Sequence, residues 1–288
     1  LYITTQDGQV IVVITGHKKT YDYDGTEKTV SGYDVSITEG STYAEADFTF
    51  SGNDEVKGTE ANTYPMGLKV SDFTNNNTNY SSVTFVVNDG SLVINPKSII
   101  PDGPDTPDEK KTGIEVTKPA DSKYDGKIHE NKPTVRDNKT DKTLVEGTDY
   151  TLSYKGDTTN AGTVTVTITG AGNYTGSHNV EYQITKRNVT LTSATDSKVY
   201  DKDPLTNHNV AVGGDGFVKE EGATYNVTGS QTSVGESDNE FTYTLKSNTK
   251  AENYNITTHN GKLIVTAEAS EVTVVITCLL YTSDAADE

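Results

Sequence analysis

The same short phrases return along this chain in the same order, and that repetition limits the possible folds more than any other feature. "YITTQDGQVIVVIT" (residues 2–15) reappears in two pieces, "NITTHNGKLIV" (255–265) and "VTVVIT" (272–277). "TYDYDG" (20–25), "SKYDGK" (122–127) and "KVYDKDPL" (198–205) each set a Tyr-Asp step near a lysine. Each is followed well downstream by an Asn-Tyr step: Asn79-Tyr80, Asn173-Tyr174 and Asn253-Tyr254. Self-similarity of this kind marks a tandem array whose units bury their apolar faces in turn. The expected division is a preceding repeat's tail at 1–9, a repeat at 10–95, a linker at 96–112, a shorter related repeat at 113–186 and a third repeat at 187–266. Residues 267–277 then read as the start of a further, truncated repeat.

Within the units the hydrophobic period is two. "TVTVTIT" (163–169) sets Val164, Val166 and Ile168 on one face and threonines on the other. "VEYQI" does the same with Val180, Tyr182 and Ile184, and "EFTYTLK" with Phe241, Tyr243 and Leu245. Alternation with polar partners predicts half-buried strands, and no segment sustains a helical period. Asp89-Gly90 and Asn260-Gly261 sit between such runs, and both dipeptides tolerate positive φ, so they predict hairpins. The fold class is therefore all-β: tandem small β-sandwich (immunoglobulin-like) repeats, with a β-grasp-like arrangement as the alternative for the central unit. Residues 96–112 hold four of the eight prolines and several aspartates, which predicts an extended, semi-rigid spacer.

Charge narrows the partners. At a formal −18 and a pI near 4.6 the surface repels phosphate backbones and anionic lipid. Nucleic acid and membrane insertion are not expected, and no apolar run nears the ~18 residues of a span. The single cysteine, Cys278, lies in "CLLYTSDAADE" (278–288), which resembles the translation of a transposase sequencing adapter. That segment is set aside as an artefact. The remainder has no cysteine, so its stability is expected from β packing rather than disulfides.

Taken together, "TYDYDGTEKTVSGYDV", "NYSSVTFVVNDGSLVI" and "KVYDKDPL…NYNITTHNGKLIV" resemble MBG-type repeats. "YDGK…GTDYTLSYKGDTTNAGTVTVTITGAGNYTG" resembles the related YDG-like repeat. The resemblance spans nearly all of residues 1–277. It implies an extracellular, β-rich module of a large secreted or wall-anchored, adhesin-like bacterial protein, and it carries no catalytic residues.

Acidic clusters are the candidates for chemistry. Asp22 and Asp24 beside Gly25 are weak calcium candidates, but the helix-flanked calcium loop places its glycine at position 6, and here it falls at position 4. The comparable sites keep the Tyr-Asp step and vary the second acid. That pattern predicts a tyrosine packed inward and an aspartate capping a turn. His17, His129, His178, His208 and His259 lie in separate segments without metal-pair spacing. Acid pairs Glu220–Glu221 and Asp201–Asp203 have glycosidase composition in the abstract, but adjacent carboxylates on an acidic surface are usually solvated. The expected role is a non-enzymatic, monomeric stalk presenting an adhesion domain, with no catalytic or cofactor-binding residues. The alternatives are direct binding of host glycan, mucin or matrix protein through some of the 17 tyrosines, or an accessory region of a secreted enzyme.

Overall fold

A computed structural model describes residues 9–269 and 274–276 of the chain. The expected repeat tail before residue 9 and the adapter-like segment lie outside the described residues. Of the expected further repeat, residues 267–269 and 274–276 are described; they are exposed and outside regular structure. The protein is all-β, built from many small sheets. Helical features among the described residues are four three-residue 3-10 turns, and no helix is long and apolar enough to cross a membrane.

The chain forms two compact units, Leu1–Ser122 with Ile128–Ile184, and Lys123–Lys127 with Thr185–Glu288. The first and central repeats thus share one unit. The turn at Lys123–Lys127, central in sequence, belongs to the other.

In the first unit, Val10–Gly16 buries Val10, Val12 and Ile14 on alternate positions. It runs antiparallel to Tyr33–Ile37 and parallel to Val83–Asn88. Its continuation Lys18–Asp22 runs parallel to Ser91–Asn95, which pairs on its other side with Asn62–Pro65. The strands on either side of Asp89-Gly90 therefore lie in different sheets, and the expected hairpin is not formed. Two chain segments instead cross side by side from sheet to sheet. Gly90 serves close backbone approach rather than a left-handed turn: a Cβ there would lie 2.7 Å from the His17 carbonyl oxygen. The Asp89 carboxylate accepts the backbone N–H groups of Gly67 and Leu68.

The second unit repeats this correction. Tyr254–His259 runs parallel to Arg187–Ser193, and Gly261–Thr266 runs parallel to Asp196–Val199. A Cβ on Gly261 would lie 2.4 Å from the Ser193 carbonyl oxygen. Phe241–Leu245 pairs with Ala223–Val227 in a two-stranded ribbon. Its expected apolar face is only partly covered, with Tyr243 exposed.

In the central repeat, Gly162–Gly170 lies between Tyr150–Lys155 and Ser177–Thr185, antiparallel to both. Val164, Val166 and Ile168 are fully buried, as the alternation predicts. Burial of side chains of this size stabilises by ~1.5–3 kcal/mol each.

Residues 96–112 differ from the expected spacer. Lys97–Ser98 forms a strand parallel to Tyr174–Thr175, and Lys97 and Ile99 are buried. The Asp102 carboxylate accepts the N–H groups of Thr112 and Gly113 at 2.7 and 2.8 Å, closing the proline-rich stretch into a surface loop. Proline and charge describe that loop. Lys97 and Ile99 belong to the interior, and Ile100 beyond them is exposed.

Candidate functional site

The Tyr-Asp steps fold into the same local structure three times. Asp24, Asp125 and Asp201 each accept, through Oδ1, the backbone N–H two residues on: Thr26 at 2.9 Å, Lys127 at 2.9 Å and Asp203 at 3.0 Å. This is the side-chain turn that a short acidic residue makes with its own backbone. The intervening residue has positive φ in each case, 77° at Gly25, 79° at Gly126 and 76° at Lys202. Glycine takes that conformation without a steric penalty, and Lys202 takes it against one. The tyrosine N–H of each turn donates to the end of a neighbouring strand: Tyr23 to the Asn95 oxygen, Tyr124 to Thr185 and Tyr200 to Thr266, all at 2.9 Å. In "YDYDG" it is thus Tyr23-Asp24, not Tyr21-Asp22, that corresponds to the other turns.

The calcium candidates lie at the first turn. Both Asp24 oxygens are engaged, Oδ2 with the Lys28 ammonium at 2.6 Å and Oδ1 with Thr26. The Lys28 hydrogen bond, aided by the Thr26 hydroxyl, holds the Asp24 carboxyl down at about 2. Asp22 accepts from the Asn95 amide at 3.2 Å. Both aspartates line a cleft of about 600 Å3 together with Tyr23, Lys97, Lys110 and Lys139, so lysines share the space a cation would occupy. Among the described residues no three His, Cys, Asp or Glu side chains converge as a metal-ion cluster.

The structure brings two of the three Asn-Tyr steps to the turns, while Tyr80 meets Tyr43 edge to face at 5.1 Å. Tyr23 meets Tyr174 edge to face at 5.7 Å, and Tyr124 meets Tyr254 in the same manner at 5.6 Å. Such pairs are worth ~0.5–1.5 kcal/mol beyond the area they bury. In each joint the second tyrosine donates its hydroxyl to a carboxylate: Tyr174 to Asp137 at 3.2 Å, and Tyr254 to Glu221 at 2.5 Å. Glu221 also accepts the Tyr124 hydroxyl at 2.6 Å. A basic residue stands in register opposite each of these tyrosines, Lys97 opposite Tyr174 and Arg187 opposite Tyr254. It lies two residues beyond the strand end that anchors the turn.

The two basic residues act differently. Lys97, 7% exposed, places its ammonium 2.7 Å from both oxygens of Asp137, which is fully buried. Burial pushes the Asp137 carboxyl up, but Lys97 and the N–H groups of Lys139 and Thr140 hold it below the usual range. Arg187 donates to backbone carbonyls of Gly216, Asp215 and Tyr124 and so ties the turn down directly. Burial, then the Glu221 hydrogen bond, pushes the Tyr124 hydroxyl up to about 12, and burial raises Tyr254 further. At neutral pH these hydroxyls are donors rather than nucleophiles.

Of the acid pairs read from sequence, Asp201 and Asp203 form the third turn, with Lys198 on Asp201 at 2.6 Å. Glu221 is the acid that enters a cluster, and its neighbour Glu220 stays exposed at positive φ. His17 bonds locally to Ser31 and Asp34. Sequence reading missed Lys97 and Asp137 altogether. The one signal for them, a lysine two residues after a strand, is too common to select.

No family model matches the chain, and no curated protein matches it. Among solved structures it is similar to the N-terminal eight Ig domains of Down syndrome cell adhesion molecule (DSCAM) isoform 1.30.30. The identity is 10% and the TM-score 0.16, with 90% of this chain and 40% of that chain covered.

Proposed function

We propose that the chain is a non-enzymatic spacer segment of a large bacterial surface protein, its repeats holding an adhesion domain away from the cell. The observation that carries this reading is the doubled joint: the opening turn of a repeat is locked by a tyrosine, a carboxylate and a basic residue supplied later in the chain. Polar groups that would otherwise make a site are spent on one another. Asp137 is taken by Lys97 and Tyr174, Glu221 by two tyrosines, and Asp24 by Lys28. An acidic, hydroxyl-rich exterior keeps such arrays soluble and mutually repelling. The extracellular placement and the adhesin context rest on the repeat resemblance.

A glycan and mucin array probed with the whole chain tests the reading. The expected result is no binding above background. Reproducible binding abolished by Tyr200→Ala or Tyr243→Ala, the two exposed tyrosines among the described residues, would replace the spacer with a lectin.

A further inference from the structure

Two of the three turns are covered and the third is open. Tyr23 is 8% exposed and Tyr124 4%, each beneath the ring of an Asn-Tyr tyrosine, whereas Tyr200 is 38% exposed and Val199 beside it 53%. Tyr200 has no aromatic partner among the described residues. Three features of the open turn repeat those of the others, while the position two residues beyond its anchoring strand end holds Glu268 where they have Lys97 and Arg187. Its aspartate caps the same N–H, its second residue has the same positive φ, and its tyrosine N–H is anchored on the last strand of its repeat. The position that a second tyrosine covers at Tyr23 and Tyr124 is left uncovered at Tyr200.

We propose that residues 199–203 form an open joint that receives the Asn-Tyr strand of another β repeat of this kind, whose tyrosine covers Tyr200 edge to face. The occupant is specified by the two filled joints. It brings a tyrosine at the start of a strand, as Tyr174 and Tyr254 stand in Tyr174–Thr175 and Tyr254–His259. It also brings a carboxylate to accept that hydroxyl and a residue in parallel register beside it. A second copy of the chain offers none of its three Asn-Tyr tyrosines, because Tyr80, Tyr174 and Tyr254 are all already buried. The inference deepens the spacer reading and rests on it for its purpose, since a joint that accepts another repeat lets the array continue.

The test compares the chain with a version in which residues 186–266 are repeated directly after Thr266, which preserves the two-residue step from Thr185 to Arg187. Nitration by tetranitromethane with peptide mapping reads each tyrosine. Tyr200 is expected to react in the original chain and about tenfold more slowly in the extended one, while Tyr23 and Tyr124 stay protected in both. Replacing by alanine the appended tyrosine that corresponds to Tyr254 should restore the reaction. Hydrogen exchange at the amides of residues 200–203 gives the same comparison should that variant fold poorly. Equal reactivity of Tyr200 in both chains, with the appended tyrosine itself protected, would overturn the joint and leave the array result untouched. Concentration-dependent dimerisation of the original chain that protects Tyr200 would also overturn it, by naming a second copy as the occupant.

Discussion

Lys97 and Asp137 are separated by 40 residues in sequence yet share a buried contact, and a pair of this kind is strongly asymmetric in its energetics. Removing one partner leaves an uncompensated charge in the interior, so Lys97→Met is expected to cost ~3–5 kcal/mol in urea unfolding at neutral pH. The pH dependence follows from the direction of the Asp137 shift. Its folded pKa lies below the ordinary value of 3.8, so the pair's contribution is complete above that value and is lost as pH falls through the folded pKa. Without Lys97 the carboxyl titrates higher, and acid unfolding of the variant should begin at a higher pH than in the parent. An unchanged acid midpoint would mean the backbone N–H groups alone hold the charge.

At the level of strands, the glycines that follow Asp89 and Asn260 decide the topology. A dipeptide that ordinarily closes a hairpin here carries a strand from one sheet to the next, because a parallel neighbour comes too close for any Cβ. Gly261→Ala should therefore cost ~1–3 kcal/mol by overpacking against the Ser193 and Ala194 backbone. Gly213→Ala, in a strand where the nearest atom to a new Cβ is 3.8 Å away, should stay within ~0.5 kcal/mol. Denaturant midpoints of the two variants, measured side by side, check this. Equal midpoints would mean that the backbone yields to the new Cβ and that close approach does not demand glycine at 261.

At the level of the molecule, the two compact units should give two calorimetric transitions, and the joint tyrosines should assign them. Tyr23→Ala is expected to lower the transition of the unit built on residues 9–122 and 128–184. Tyr124→Ala should lower the other, although Tyr124 lies near the start of the central repeat's sequence. Each substitution removes a buried aromatic ring, a loss of ~3–5 kcal/mol. A Tyr124→Ala variant that shifted only the first transition would return that turn to the repeat in which it is written.

Alternation was enough to place Val164, Val166 and Ile168 in the interior, and the Tyr-Asp step was enough to place a capped turn. Both are local: a period-two strand and a side chain bonding to its own backbone need no distant partner. The same local rules misread Asp89-Gly90, since what a glycine is for depends on the strand lying against it. They also misread residues 97–99, whose burial depends on Tyr174 and Asp137 far along the chain. The turn tyrosines were legible as architecture but not as joints. Whether such a ring is core or surface is decided by what reaches it from dozens of residues downstream, and only the tertiary structure brings Tyr174 to Tyr23, brings Tyr254 to Tyr124, and leaves Tyr200 in the open.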